Sequence, residues 1–130
     1  MQKSRKRESP ATSAGESEML AVAIIEGLQE KKGKEIVSLN LKELKTAVAD
    51  YFIVCHGESR TQVEALARSV EETVNKLRGE NPWHMEGLGN AEWILIDYVS
   101  VVVHIFNKEK REFYGVERLW ADAEIQQYKD

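Results

Sequence analysis

Asp50-Tyr51-Phe52-Ile53-Val54-Cys55 runs into His56-Gly57-Glu58 and then into Ser59-Arg60-Thr61-Gln62-Val63. A short, nearly continuous apolar run predicts a strand buried on both faces, and Gly57 ends it. Ser59 and Gln62 have the spacing of a capping box, so a helix starts there. Its stripe is Val63, Leu66, Ala67, Val70, Val74 and Leu77, and Gly79 followed by Asn81-Pro82 closes it. Upstream, Leu20, Ala23, Ile24, Gly27 and Leu28 mark an amphipathic first helix, and Glu35 to Leu41 alternates as a strand. Downstream, Trp83-His84-Met85-Glu86, Trp93-Ile94-Leu95-Ile96-Asp97 and Val101-Val102-Val103-His104-Ile105-Phe106 predict three more strands, the last two a hairpin around Tyr98-Val99-Ser100. Val116 to Ala121 offers a short closing helix. The order α-β-β-α-β-β-β-α predicts a single α/β domain with a mixed sheet of about five strands flanked by helices.

The 130 residues, 42% hydrophobic and 31% charged with only 2 prolines, fit one globular domain with a core. Residues 1–17 read as a flexible tail, 18–122 as the domain and 123–130 as a fraying C-terminal tail. No apolar run approaches the length of a membrane span, and the start has no secretory hydrophobic region. The lone Cys55 forms no internal disulfide, so a reducing cytoplasm is expected. The formal net charge is −4, although the tail itself is basic through Lys3, Arg5, Lys6 and Arg7. The rest is therefore distinctly acidic, a poor grip for nucleic-acid phosphates and a better match for a basic protein.

Three groups of residues could carry chemistry. The turn Gly57-Glu58-Ser59 precedes a helix, where phosphate can bind, but no phosphate-loop pattern is present and Glu58 would repel an anion. Gly57 is better read as a turn and Ser59 as a cap. Cys55, His56, Ser59, His84, Asp97 and His104 supply the inventory of a nucleophilic or metal site without its spacing. His104 reads as a structural histidine bonded to backbone or to a carboxylate such as Asp97, and no catalytic, cofactor or metal residue is assigned. The third group is aromatic and acidic: Trp83, Trp93, Tyr98, Phe106, Phe113, Tyr114 and Trp120 with Glu86, Glu92 and Asp97. Alternation puts Trp93, Leu95 and Asp97 on one strand face, a tryptophan beside an acid, which is unusual for a dry core. Core and interface both fit these residues at this point.

Read together, Ala49-Asp50-Tyr51-Phe52-Ile53-Val54, Gly57-x-Ser59-x-x-Gln62-Val63, Glu86-Gly87, Trp93 to Tyr98, Val101 to Phe106 and Arg111-x-Phe113-Tyr114 through Leu119-Trp120 resemble the ribosomal silencing factors of the Iojap family. The match runs in order and spacing from about Leu20 to Trp120. The resemblance implies a nucleotidyltransferase-like fold without established catalysis. It also implies binding to large-subunit ribosomal protein fourteen, which blocks joining of the ribosomal subunits and represses translation when nutrients are short. The interface it implies lies near Trp93 and Tyr98, with Glu86 and Asp97 as acidic neighbours. One departure is Val99-Ser100, where members typically carry Gly-Asp. Two other classes stand beside this one. A metal-dependent nucleotidyltransferase would need closely spaced carboxylates, and no Asp-x-Asp or Asp-x-Glu pair follows the Gly-x-Ser turn at the expected strand. A homodimeric adaptor could use the same Trp93 face off the ribosome.

Overall fold

The apolar run at Tyr51–Gly57 becomes β2, and both its edges are paired. In the computed structural model, which describes residues 10–129, β1 (Lys34–Asn40) runs antiparallel along one edge and β5 (Val101–Asn107) parallel along the other. A parallel neighbour requires a long crossover. The chain between supplies it with α2 (Arg60–Arg78), β3 (His84–Glu86) and β4 (Trp93–Asp97). The finished sheet is mixed and six-stranded, in the order β3-β4-β5-β2-β1-β6.

The sixth strand corrects the expectation of about five. β6 (Glu124–Tyr128) lies in the segment expected to fray, yet it pairs antiparallel with β1 from Ile36↔Tyr128 to Asn40↔Glu124. The Tyr128 hydroxyl shares a hydrogen bond with Ser38 Oγ at 3.0 Å. Its sequence, Glu-Ile-Gln-Gln-Tyr, shows no apolar alternation because an edge strand with exposed side chains needs none.

The N-terminal boundary also moves. Helix α1 spans Pro10–Glu30, so residues 10–17 are helical rather than tail, and residues 1–9 lie outside the described residues. Proline suits a first helical turn, where its missing N–H leaves no bond unmade. Ser17 is already buried, and Glu16 pairs with Arg78 of α2 at 2.8 Å.

Helices α1 and α2 cover one face of the sheet, packing Ile24, Leu28, Leu66 and Val70 onto Ile53, Val103 and Ile105. Each such side chain contributes about 2 kcal/mol through burial. The two helices cross closely at Gly27, where a Cβ would meet the Val70 backbone at 3.0 Å, and Ser69 Oγ donates to the Gly27 carbonyl at 2.7 Å. The Ser59 side chain accepts from the Gln62 N–H and Gly79 ends the helix, as the sequence predicts.

The other face is covered only in part. The segment 41–49, α3 (Lys108–Tyr114) and α4 (Val116–Leu119) pack over β1, β2 and the end of β5, around Leu39, Val54, Phe106 and Val116. Arg111 fastens this cover to the sheet. Its guanidinium donates to both Glu117 oxygens at 3.0 and 3.1 Å, to the Lys34 carbonyl at 3.3 Å and to His56 Nδ1 at 2.9 Å. Burial, and then the Arg111 cation, hold the His56 pKa below its ordinary value. The helix expected at 116–121 is α4, and α3 before it had no apolar period to reveal it.

The β4–β5 turn carries strain. Val99 has φ +75°, and its N–H donates to Asp97 Oδ1 at 2.7 Å. A β-branched residue in the left-handed region is costly, and this is the position where the family resemblance leads one to expect glycine.

Candidate functional site

Among the described residues α3 and α4 reach β4 only where Tyr114 meets Trp93, so the rest of the β3–β4 half of the sheet has no helical lid on this face. On β4, Ile94 and Ile96 are buried beneath α1 and α2, while Trp93, Leu95 and Asp97 point the other way and are half-buried. Pairing register brings Glu86 opposite Leu95, and on β5 it brings Phe106 opposite Trp93, His104 opposite Leu95 and Val102 opposite Asp97. Trp93, Leu95 and Asp97 share one face, as the alternation predicts, and the pairing of β3 adds Glu86 to it. Gly87, which directs β3 into the loop before β4, has φ +91°, and a Cβ there would collide with the Trp93 carbonyl oxygen. Only glycine fits at that point.

Tyr98 is the exception among the four residues expected to meet a partner. It is 7% exposed and packs within the core formed by α1 and α2, on the far side of the sheet from Trp93. The alternation ends where β4 turns, so Tyr98 follows the turn rather than the strand. Its hydroxyl is buried without a hydrogen-bond partner among the described residues. Burial, with Glu71 and Glu80 adding to it, pushes its ionisation up. The exposed patch thus consists of Trp93, Glu86 and Asp97 without Tyr98.

Other aromatics take its place. The Trp93 ring lies 5.1 Å from Phe106 and 4.7 Å from Tyr114 by centroid, and Phe113 meets Tyr114 edge-on at 5.1 Å. On the other flank Phe52 meets His104 at 4.5 Å and Trp120 at 5.8 Å. Phe113 and Leu119 are 71% and 76% exposed. An apolar ridge of this kind beside a half-open tryptophan has the composition of an interaction surface. Phe113, Tyr114 and Trp120 stand out in the sequence as aromatics, but only the tertiary fold sets Tyr114 on Trp93, Phe113 on Tyr114 and Trp120 on Phe52. Phe52 gave no such signal, since it reads as one more strand residue.

His104 does not bond to Asp97. Its Nδ1 accepts the Trp93 indole N–H at 3.1 Å, and its Nε2 is buried without a partner among the described residues. Burial lowers its pKa to about 4, so the ring is neutral at pH 7. Asp97 is occupied by the Val99 N–H, and Glu86 pairs with His84 at 2.7 Å. The acids rim the aromatic surface at its β3–β4 edge.

The remaining candidates are structural. Cys55 is fully buried and its thiol is pushed up to about 12 by burial, so it carries no thiolate at neutral pH. At the Gly57 turn the Glu58 N–H donates to Gln62 Oε1, and the same Gln62 amide donates to the Lys31 and Lys32 carbonyls. Among the described residues no group of three or more His, Cys, Asp or Glu could hold a metal ion, and no helix is long and apolar enough to cross a membrane. A groove of about 790 Å³ lies between α1 and β1/β6, walled by Met19 and Val22 and floored by Ser38 and Tyr128. It is on the opposite side of the sheet from Trp93.

Comparison with known proteins places this geometry in a lineage. Residues 14–130 match the family described as "Ribosomal silencing factor during starvation". A ribosomal silencing factor of Halalkalibacterium halodurans is 39% identical over 106 residues, covering 82% of this chain and 88% of that protein. A crystal structure from Chromobacterium violaceum superposes with a TM-score of 0.75 at 35% identity, covering 80% of this chain and 85% of the other. A mouse protein named for mitochondrial assembly of the ribosomal large subunit is 30% identical over 73 residues, 55% of this chain and 32% of its own length.

Proposed function

The chain belongs to the ribosomal silencing factor family, and from that premise we propose that it binds large-subunit ribosomal protein fourteen through the Trp93 face. Bound there, it obstructs the surface that the small subunit must meet, and so represses translation when nutrients are short. It acts in the cytoplasm by occupying a surface, not by turning over a substrate. Large-subunit association also agrees with the name of the mouse relative.

The observation that carries this reading is the uncovered half-sheet. Trp93, Tyr114 and Phe113 form an apolar ridge that no element among the described residues covers, with Leu119 exposed on α4 and Glu86 and Asp97 on the β3–β4 side. Aromatic side chains buried on association supply residence time, and the acidic rim draws a basic ribosomal protein by long-range attraction. The acidic balance of the chain adds to that steering.

Co-sedimentation of the purified chain with isolated large subunits, small subunits and whole ribosomes tests the proposal. Retention by large subunits alone is the expected result, and it should fall as salt rises. Equal retention by small subunits, or none by large ones, would overturn it.

A further inference from the structure

We propose that His104 is the positioning residue of this site, its Nδ1 holding the Trp93 indole in the pose that a partner meets. The inference rests on the reading of the Trp93 face as the docking surface. The indole N–H reaches His104 Nδ1 at 3.1 Å, diagonally across from Phe106, the residue that Trp93 directly opposes. Phe106 and Tyr114 border the indole ring, and Phe52 meets the imidazole edge-on at 4.5 Å. The indole thus has one polar anchor among apolar neighbours.

The cost of histidine at this position is what makes the geometry informative. For Nδ1 to accept, the proton must lie on Nε2, which is buried with no partner among the described residues. His104 is 4% exposed, and its strand neighbours Val102, Val103, Ile105 and Phe106 are all apolar. An apolar side chain at 104 would fill the same place without an orphaned donor. The indole acceptor is the polar role that sets histidine apart from those neighbours. Burial keeps the ring neutral, so the Nδ1 lone pair stays available at pH 7. A half-buried tryptophan fixed in advance loses less freedom when a partner arrives.

Indole hydrogen exchange in ¹⁵N-labelled protein tests the anchor, with the 74% exposed Trp83 as internal reference. The Trp93 indole should exchange more slowly than that of Trp83, become fast in H104F and recover in H104Q, whose amide oxygen can accept. Binding to isolated large subunits tests its purpose. H104F should bind about 3- to 10-fold more weakly, the equivalent of one hydrogen bond, while melting no lower than the wild type. Combining H104F with W93F should weaken binding no further than W93F alone, because the donor is already gone. Unprotected Trp93 exchange in the wild type overturns the proposal, as does wild-type binding by H104F when W93A binds poorly. If W93A binds normally, the docking surface itself is wrong and the proposal falls with it. Should H104F fail to fold, W93F decides in its place: wild-type binding by W93F overturns the proposal, and weakened binding supports it.

Discussion

Trp93 and Tyr98, close together in the sequence, lie on opposite faces of the sheet, the indole half-open beside Tyr114 and the phenol within the core under α1 and α2. Truncating them should therefore have different consequences. Trp93→Ala removes an interface anchor and should weaken large-subunit binding about 30-fold, or about 2 kcal/mol, with the fold retained. Tyr98→Ala should instead cost about 3–5 kcal/mol of stability. Circular dichroism melts and co-sedimentation on the same preparations check both, and an interchange of the two outcomes would reverse the assignment.

Tyr98→Phe isolates the hydroxyl. That group is buried with no partner among the described residues, so its removal should leave stability unchanged or raise it by about 1 kcal/mol. Urea unfolding measures this directly. A clear loss of stability would mean that the hydroxyl has a hydrogen-bond partner after all.

Val99→Gly should stabilise the protein. Relieving a β-branched side chain at φ +75° gains about 1 kcal/mol after glycine's own entropy cost. Val99 is exposed, so no packing is lost in exchange. A higher thermal midpoint is expected, and an unchanged or lower one would show that the turn relaxes some other way.

Acid should weaken the fold through His104. Its pKa falls from 6.5 to about 4 on folding, because burial opposes the charged ring. Above about pH 6.5 both states are neutral and stability is intact. Below that the unfolded chain takes up a proton that the folded chain refuses until about pH 4. Roughly 3 kcal/mol should therefore be lost across that window. His56 shifts in the same direction and adds to the slope. Unfolding free energies measured from pH 7 to 4 should decline less steeply in H104F, and parallel curves would contradict the assignment.

Truncation after Ala123 should remove about 1–3 kcal/mol and promote self-association, because β1 would lose its β6 partner and become an open edge. Thermal melting with light scattering checks both effects. A truncated chain that melts and scatters like the full one would make β6 dispensable.

The parts of the fold legible in sequence were those with a repeating physical demand. Buried strands need continuous apolar side chains, so β2 and β5 announce themselves, and Ser59 and Gly79 mark the ends of α2 because helix ends need partners for their N–H and C=O groups. β6 was hidden because backbone bonds to β1 hold most of it and its mostly exposed side chains follow no apolar period, and the first turns of α1 because Ala-Thr-Ser-Ala-Gly carries no stripe. At the site, period two placed Trp93, Leu95 and Asp97 correctly. It could not place Tyr98, since periodicity stops at a turn. Nor could it bring Tyr114 to Trp93, or Phe52 to His104 and Trp120, because contacts between separate elements have no period to read. The bond from Trp93 to His104 lay beyond it for the same reason.

The pairing of β1 and β2 sets an order on the chain's own assembly. The hairpin they form has two open edges, and both are closed by strands that come late, β5 at Val101–Asn107 and β6 at Glu124–Tyr128. Closing such long loops is entropically slow, so the centre of this sheet forms late on the folding timescale. During synthesis the first strands must wait, unpaired on their outer sides, until β5 and β6 have been made. A nascent chain interrupted between β2 and β5 would therefore carry a sticky, unfinished sheet.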